Sequence, residues 1–214
     1  FIRLGGDNGL AERSETLDQI KLVPSERTDF VFTPQDEPGT VDWLKWYPTE
    51  RGYGSTFNRF SEEMMEVVTV NEPEVLPESI PTELRHIEQI DVTGAKELLI
   101  DLTIVFPDDN TVEMGVNGIP YWNSKPLEAQ IGETHVWTVR NDTDFNHPFH
   151  LHGYFFQVLD EERIPEWKDS VDIPVHTELK LAVSFDERPG TWMYHCHILD
   201  HAEVGMMVAL RVSP

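Results

Sequence analysis

One cysteine, Cys196, is all the thiol chemistry that this 214-residue chain holds. It therefore has no internal disulfide, and cysteine usage says nothing about its redox compartment. Cations are scarce as well: 16 Lys and Arg stand against 39 Asp and Glu, a formal charge of −23. Such a surface repels phosphate backbones and anionic lipid, which argues against nucleic acid and acidic membranes as partners. No apolar run is long enough for a membrane-spanning helix, and no internal repeat or low-complexity tract is present. Histidine pairs spaced as His-x-His are missing from residues 1–146.

What the chain does contain is concentrated near its end. Six of its nine histidines, with the cysteine, fall in two short segments, His147-Pro148-Phe149-His150-Leu151-His152 and His195-Cys196-His197-Ile198-Leu199-Asp200-His201. Cys196, His201 and Met206 are each separated by four residues. A thiolate, an imidazole and a thioether suit a soft, redox-active metal, copper above all. Zinc also takes paired histidines, but its usual sets do not include methionine.

Strand parity sorts these donors. Successive side chains on a β-strand point to opposite faces, so His195 and His197 share one face while Cys196 takes the other. His150 and His152 likewise share a face, and His147 has the opposite parity, with Pro148 predicting an irregular start to that strand. The simplest construction is two adjacent metal sites joined by one stretch of backbone. One is mononuclear, from His147, Cys196, His201 and a weak axial Met206; the other receives His150, His152, His195 and His197. His86, His135 and His176 lack partner spacing and read as ordinary polar residues. Met64, Met65, Met114 and Met193 read as core gap-fillers, and Met207 as packing beneath the site.

The segments HPFHLHG (147–153) and HCHILDHAEVGM (195–206) resemble the two C-terminal copper motifs of the multicopper oxidases, with residue type and spacing agreeing at every ligand position. The resemblance implies cupredoxin domains, a blue copper that takes electrons from substrate, and a trinuclear cluster that reduces dioxygen to water. Carried over, His147, Cys196, His201 and Met206 hold the blue copper. His150 holds the type 2 copper, and His152, His195 and His197 hold the type 3 pair. Cys196, His195, His197 and His201 are then the residues expected to carry the chemistry. Four coppers serve a complete enzyme of this kind, with a small aromatic or metal-ion donor (phenols, aromatic amines, cuprous or ferrous ions) and dioxygen as partners. The resemblance also implies export to an aerated, oxidising space. Many bacterial relatives carry an acid immediately after the histidine matching His201; here Ala202 stands there, which leaves the proton-delivering acid open.

The family uses four His-x-His pairs, and two are found here. The expectation is therefore a C-terminal fragment whose cluster is completed by the N-terminal part of the same enzyme. Residues 1–72 read as the end of a middle cupredoxin domain, with strands in 17–32 broken at Pro24 and the turn Pro24-Ser25-Glu26-Arg27. Residues 73–94 read as a Pro-rich acidic linker, and 95–214 as the last cupredoxin domain. Strands are expected at 96–106, 135–141, 154–160, 179–185, 191–197 and 204–212, with a turn at Arg188-Pro189-Gly190. Their short lengths and alternation give an all-β, cupredoxin-like Greek-key sandwich with a partial N-terminal domain. Two other functions fit fewer residues. A blue-copper electron carrier leaves four histidines unused, and a trimeric two-domain oxidase or nitrite reductase needs histidine pairs that residues 1–70 lack.

Overall fold

The computed structural model describes residues 1–34, 37–49, 60–71, 79–160 and 163–214. Near the N-terminus, β1 (Ile2–Gly6), β2 (Gly9–Thr16) and β3 (Asp29–Val31) form a sheet in the order β2-β1-β3, and β4 (Val41–Trp46) pairs with β5 (Glu62–Val68). Only β3 forms within 17–32, where two strands are expected. Pro24 leads instead into a turn in which the Glu26 amide donates to the Val23 carbonyl at 3.0 Å and Ser25 takes φ 76°. A left-handed residue directly after a proline cannot continue a ladder. Strand β2 escapes the pattern because only Ala11 along it is buried. Met64 and Met65 do not fill core gaps: they are 66% and 46% exposed, since no second layer covers β4 and β5 among the described residues.

Pro73 and Pro77 of the expected linker lie outside the described residues. The segment after it is docked on both sides. Ser14 donates its amide to the Thr82 carbonyl, Leu84 to that of Glu12, and the buried Ile87 to the Glu12 carboxylate at 2.8 Å. Ile90 donates to the Gln157 side chain at 2.9 Å.

From Lys96 onward two five-stranded sheets face one another. One has the order β11-β13-β9-β6-β7, from β6 (Lys96–Asp108), β7 (Thr111–Val116), β9 (Thr134–Asn141), β11 (Phe156–Val158) and β13 (Thr177–Ser184). The other has the order β12-β10-β14-β15-β8, from β8 (Leu127–Gln130), β10 (His147–Leu151), β12 (Ser170–Ile173), β14 (Gly190–Cys196) and β15 (Met207–Ser213). Parallel pairings of β6 with β9 and of β8 with β15 cross the otherwise antiparallel ladders. Alternating apolar side chains from both sheets meet in one core around Trp137, Val139, Phe149, Phe156, Leu181 and Leu210. The strand expected at 204–212 begins later, because Leu199–Glu203 forms a short helix, α1, and Val204 and Gly205 close it.

The start of β10 is regular, not irregular. His147, Pro148, Phe149 and His150 pair in unbroken antiparallel register with Ile173, Asp172, Val171 and Ser170. Proline costs the ladder a donor, but the Pro148 carbonyl still accepts from the His197 amide at 2.7 Å. That bond carries the β10–β14 ladder one residue past Cys196 and fixes His197 beside the strand end.

Candidate metal centres

Strand β10 runs antiparallel to β14 with Phe149 opposite Cys196 and His150 opposite His195. The register separates the donors as parity demands. His147 and Cys196 are buried, whereas His150, His152, His195 and His197 are partly exposed on the other face. His201, delivered by α1, joins the buried group. Its Nδ1 lies 3.2 Å from His147 Nδ1 and 3.7 Å from Cys196 Sγ, and the three residues present donor atoms within 4.8 Å of one another.

The other side of the His147 ring is tied down. Its Nε2–H donates to Thr143 Oγ1 at 2.8 Å, and that hydroxyl donates to Asn141 Oδ1 at 2.8 Å. The Asn141 amide bridges the carbonyls of Phe145, Ile173 and Pro174. This chain of bonds assigns the proton of His147 to Nε2 and leaves the Nδ1 lone pair facing Cys196 and His201. Burial, with His201 adding repulsion, holds the His147 imidazolium pKa down to about 3, so the ring is neutral. Burial also pushes the Cys196 thiol up to about 12, against a smaller opposing effect of the Ile198 amide. A buried thiol of this kind ionises only when a cation replaces its proton.

Met206 is fully buried in the same cluster of side chains. Its amide donates to the His201 carbonyl and its carbonyl accepts from the Cys196 amide. Gly205 makes this approach possible. With φ 114°, a Cβ there would fall 2.5 Å from the Met114 carbonyl oxygen and 3.2 Å from the Trp122 ring. A side chain would push the loop off the strand below it.

The second group is built of imidazoles alone. His150, His152 and His195 offer nitrogens within 4.8 Å of one another, and the His197 ring lies 5.3 Å from that of His195 and 5.4 Å from that of His150. His195 Nδ1–H donates to the Cys196 carbonyl at 2.8 Å, which leaves its Nε2 unprotonated and 3.0 Å from His152 Nε2. Burial lowers the His195 pKa to about 4, the Cys196 carbonyl opposing and the neighbouring imidazoles adding to it. His152 is lowered by the same two causes. His150 Nδ1–H points away from the group, to the Asp169 carbonyl at 3.0 Å and Ser170 Oγ at 2.9 Å. Neutral rings with lone pairs converging on one space are what a soft or borderline cation requires.

The remaining histidines stand apart. His135 is fully buried but bonded to Glu133, while His86 and His176 are exposed beside Glu12 and Asp144. Asp200 and Glu203 are exposed on α1, on either side of the buried His201. Thr143, Asn141, Asp169 and Ser170 support the histidines without having been marked by any motif. Only the placement of Thr143 four residues before His147 could have hinted at one of them.

A profile of the multicopper oxidase family matches residues 91–214. The chain belongs to this family. It is 23% identical over 253 residues to a laccase of Bacillus subtilis, covering all of this chain and 46% of that protein. Over 98 residues it is 38% identical to copper resistance protein A of Escherichia coli, covering 45% of this chain and 16% of that protein. Its fold superimposes on the multicopper oxidase McoA of the hyperthermophile Aquifex aeolicus with a TM-score of 0.82 and 24% identity, over all of this chain and 49% of McoA. The chain thus spans about half the length of the laccase and of McoA. Membership implies copper binding, and the buried thiol–imidazole group of His147, Cys196 and His201 fits that metal. Among the described residues, no helix is long and apolar enough to cross a membrane.

Proposed function

We propose that this chain is the copper-bearing C-terminal part of a laccase-like oxidase, with His147, Cys196, His201 and Met206 as the mononuclear blue-copper ligands. His150 would serve the type 2 copper, and His152, His195 and His197 the type 3 pair. The observation that carries this reading is the adjacency of two chemically distinct donor groups across one strand, with Cys196 in the buried group and its peptide neighbours His195 and His197 in the open one. Bound copper would supply one-electron uptake from the donor and the reduction of dioxygen to water. The protein's own part is to hold neutral imidazoles and one buried thiol in fixed tautomers, exclude water from the first group, and join both groups by covalent bonds through Cys196.

Residues 1–72 are read as the end of a middle cupredoxin domain, joined through 73–94 to the copper domain at 95–214. The four imidazoles here supply half the ligands of a trinuclear cluster, and the N-terminal part of the same enzyme would supply the rest. Dioxygen and a phenolic or similar small aromatic donor are the proposed substrates, and an exported location follows the family resemblance. A second reading, a cuprous- or ferrous-ion oxidase, is favoured by the similarity to a copper resistance protein and by the exposed Asp200 and Glu203 beside His201. Carboxylates there would attract a metal cation and do nothing for a neutral phenol.

Spectroscopy of the copper-loaded full-length protein tests the site assignment. An intense thiolate-to-copper absorption in the red should vanish in Cys196→Ser. Colour that survived the substitution would refute Cys196 as ligand. Oxygen uptake by the purified 214-residue chain should be negligible, and robust turnover there would refute the divided cluster. The ratio of kcat/KM for cuprous ion to that for a phenol, compared with an Asp200→Asn/Glu203→Gln variant, separates the two donor classes.

A further inference from the structure

The open histidine group is buttressed from the N-terminal strands as well as from its own sandwich. Arg27, just past the turn at Pro24, lays its guanidinium flat against the Asp169 carboxylate, with Nη1 to Oδ1 and Nη2 to Oδ2 both at 2.6 Å. The same guanidinium donates to the carbonyls of Ser25 and Asp7 at 2.8 Å. The Asp7 side chain is fully buried; it accepts from the Arg27 amide at 2.9 Å and from the amides of Asp169 and Ser170 at 3.1 and 3.2 Å. Asp169 is thereby gripped at its carboxylate by one N-terminal residue and at its amide by another.

Asp169 is also where His150 is anchored. The His150 Nδ1–H donates to the Asp169 carbonyl and to Ser170 Oγ, and the Ser170 hydroxyl in turn donates to Asp169 Oδ1 at 2.9 Å. Ser25 Oγ, from the N-terminal turn itself, lies 3.3 Å from the same nitrogen. Each acceptor that fixes the tautomer of His150 is therefore either part of residues 1–34 or bonded directly to them. Bidentate Arg–carboxylate pairs set orientation as well as proximity, and partners behind a metal-binding histidine control how firmly it holds the metal.

We propose that Arg27 is a positioning residue for His150, acting through Asp169, so that the N-terminal strands set the geometry of the type 2 copper ligand across the boundary with the copper domain. This rests on the assignment of His150 under the proposed function. The buried group is held differently: His147 is bonded to Thr143 and Asn141 of the copper domain itself. The inference therefore separates the two centres: loosening the clamp should affect one of them and spare the other.

The test uses the copper-loaded full-length oxidase and its Arg27→Met and Arg27→Lys variants. Type 2 copper is followed by electron paramagnetic resonance during incubation with a chelator, and the blue absorption is recorded in the same samples. Arg27→Met should release type 2 copper about tenfold faster or more, with the blue band unchanged. Arg27→Lys keeps the charge but not the paired bonds, and should fall between Arg27→Met and the wild type. Equal release rates in all three proteins would overturn the proposal, as would parallel loss of the blue band, which would mark Arg27 as a general docking contact. If Arg27→Met does not fold, the lysine variant decides alone: release at the wild-type rate overturns the clamp. A wild-type protein lacking any type 2 signal would instead refute the assignment of His150 and leave the Arg27–Asp169 contact a structural one.

Discussion

The Nε2 atoms of His152 and His195 stand 3.0 Å apart, one from each of the two motifs. His195 donates its only proton, at Nδ1, to the Cys196 carbonyl, so in the metal-free protein the proton between the rings belongs to His152. The pair is a place where a shared cation can replace a shared proton. Each motif thus supplies half of a binding geometry that neither holds alone.

Copper binding at the buried group should release a proton. With the thiol pushed up to about 12 and His147 held down to about 3, Cys196 is protonated at pH 7 and His147 is already neutral. Titrating cupric ion into weakly buffered metal-free protein should liberate about one proton per mononuclear site from the thiol. In Cys196→Ser that component should disappear, as read by a pH indicator.

Metal-free protein should lose stability on acidification. His147 and His195 have folded pKa values, about 3 and about 4, below the 6.5 of a free imidazole. Groups depressed in this way contribute fully above about pH 6.5, and the contribution is lost as pH falls toward 3. Carrying His147 from 6.5 to about 3 is worth about 5 kcal/mol. Denaturant midpoints of metal-free protein between pH 7 and pH 4 should fall steadily, and His147→Phe should flatten the slope.

Axial tuning should respond to Met206. Met206→Leu keeps an apolar side chain in a fully buried position and removes a weak donor. The blue band should persist while the reduction potential rises. A redox titration that gave a lower potential, or loss of copper, would show that the thioether is not axial.

Gly205→Ala should destabilise the copper domain by about 1–3 kcal/mol. The backbone there is left-handed, and the new methyl would meet the Met114 carbonyl at 2.5 Å. Because the Met206 amide is bonded to His201, the blue band should weaken or shift in the same variant. Thermal denaturation with and without copper checks both effects.

The copper-domain site was legible because its donors sit on strands, where a period of two sorts side chains without knowledge of the fold. Parity set Cys196 apart from His195 and His197, and His147 apart from His150 and His152; the β10–β14 register then puts Cys196 on the His147 side. The supports were not legible. Asn141, Thr143 and Asp169 are ordinary polar residues whose role depends on bonds to distant backbone, and Asp7 acts on Asp169 from 162 residues away. The turn at Pro24 was visible as a break, but not that Arg27 beyond it would span two sheets. Met64 and Met65 misled because an apolar residue in a strand reads as core only if a second layer covers it.

Strand register carries a further consequence. Because Cys196 and its two flanking histidines serve opposite faces of β14, a shift of that strand by one residue against β10 would exchange thiol and imidazole between the two compartments. Point substitutions near the site can act in degrees. A single-residue insertion or deletion between Gly190 and Cys196 would instead scramble both centres at once, so this strand should vary in residue type and not in length.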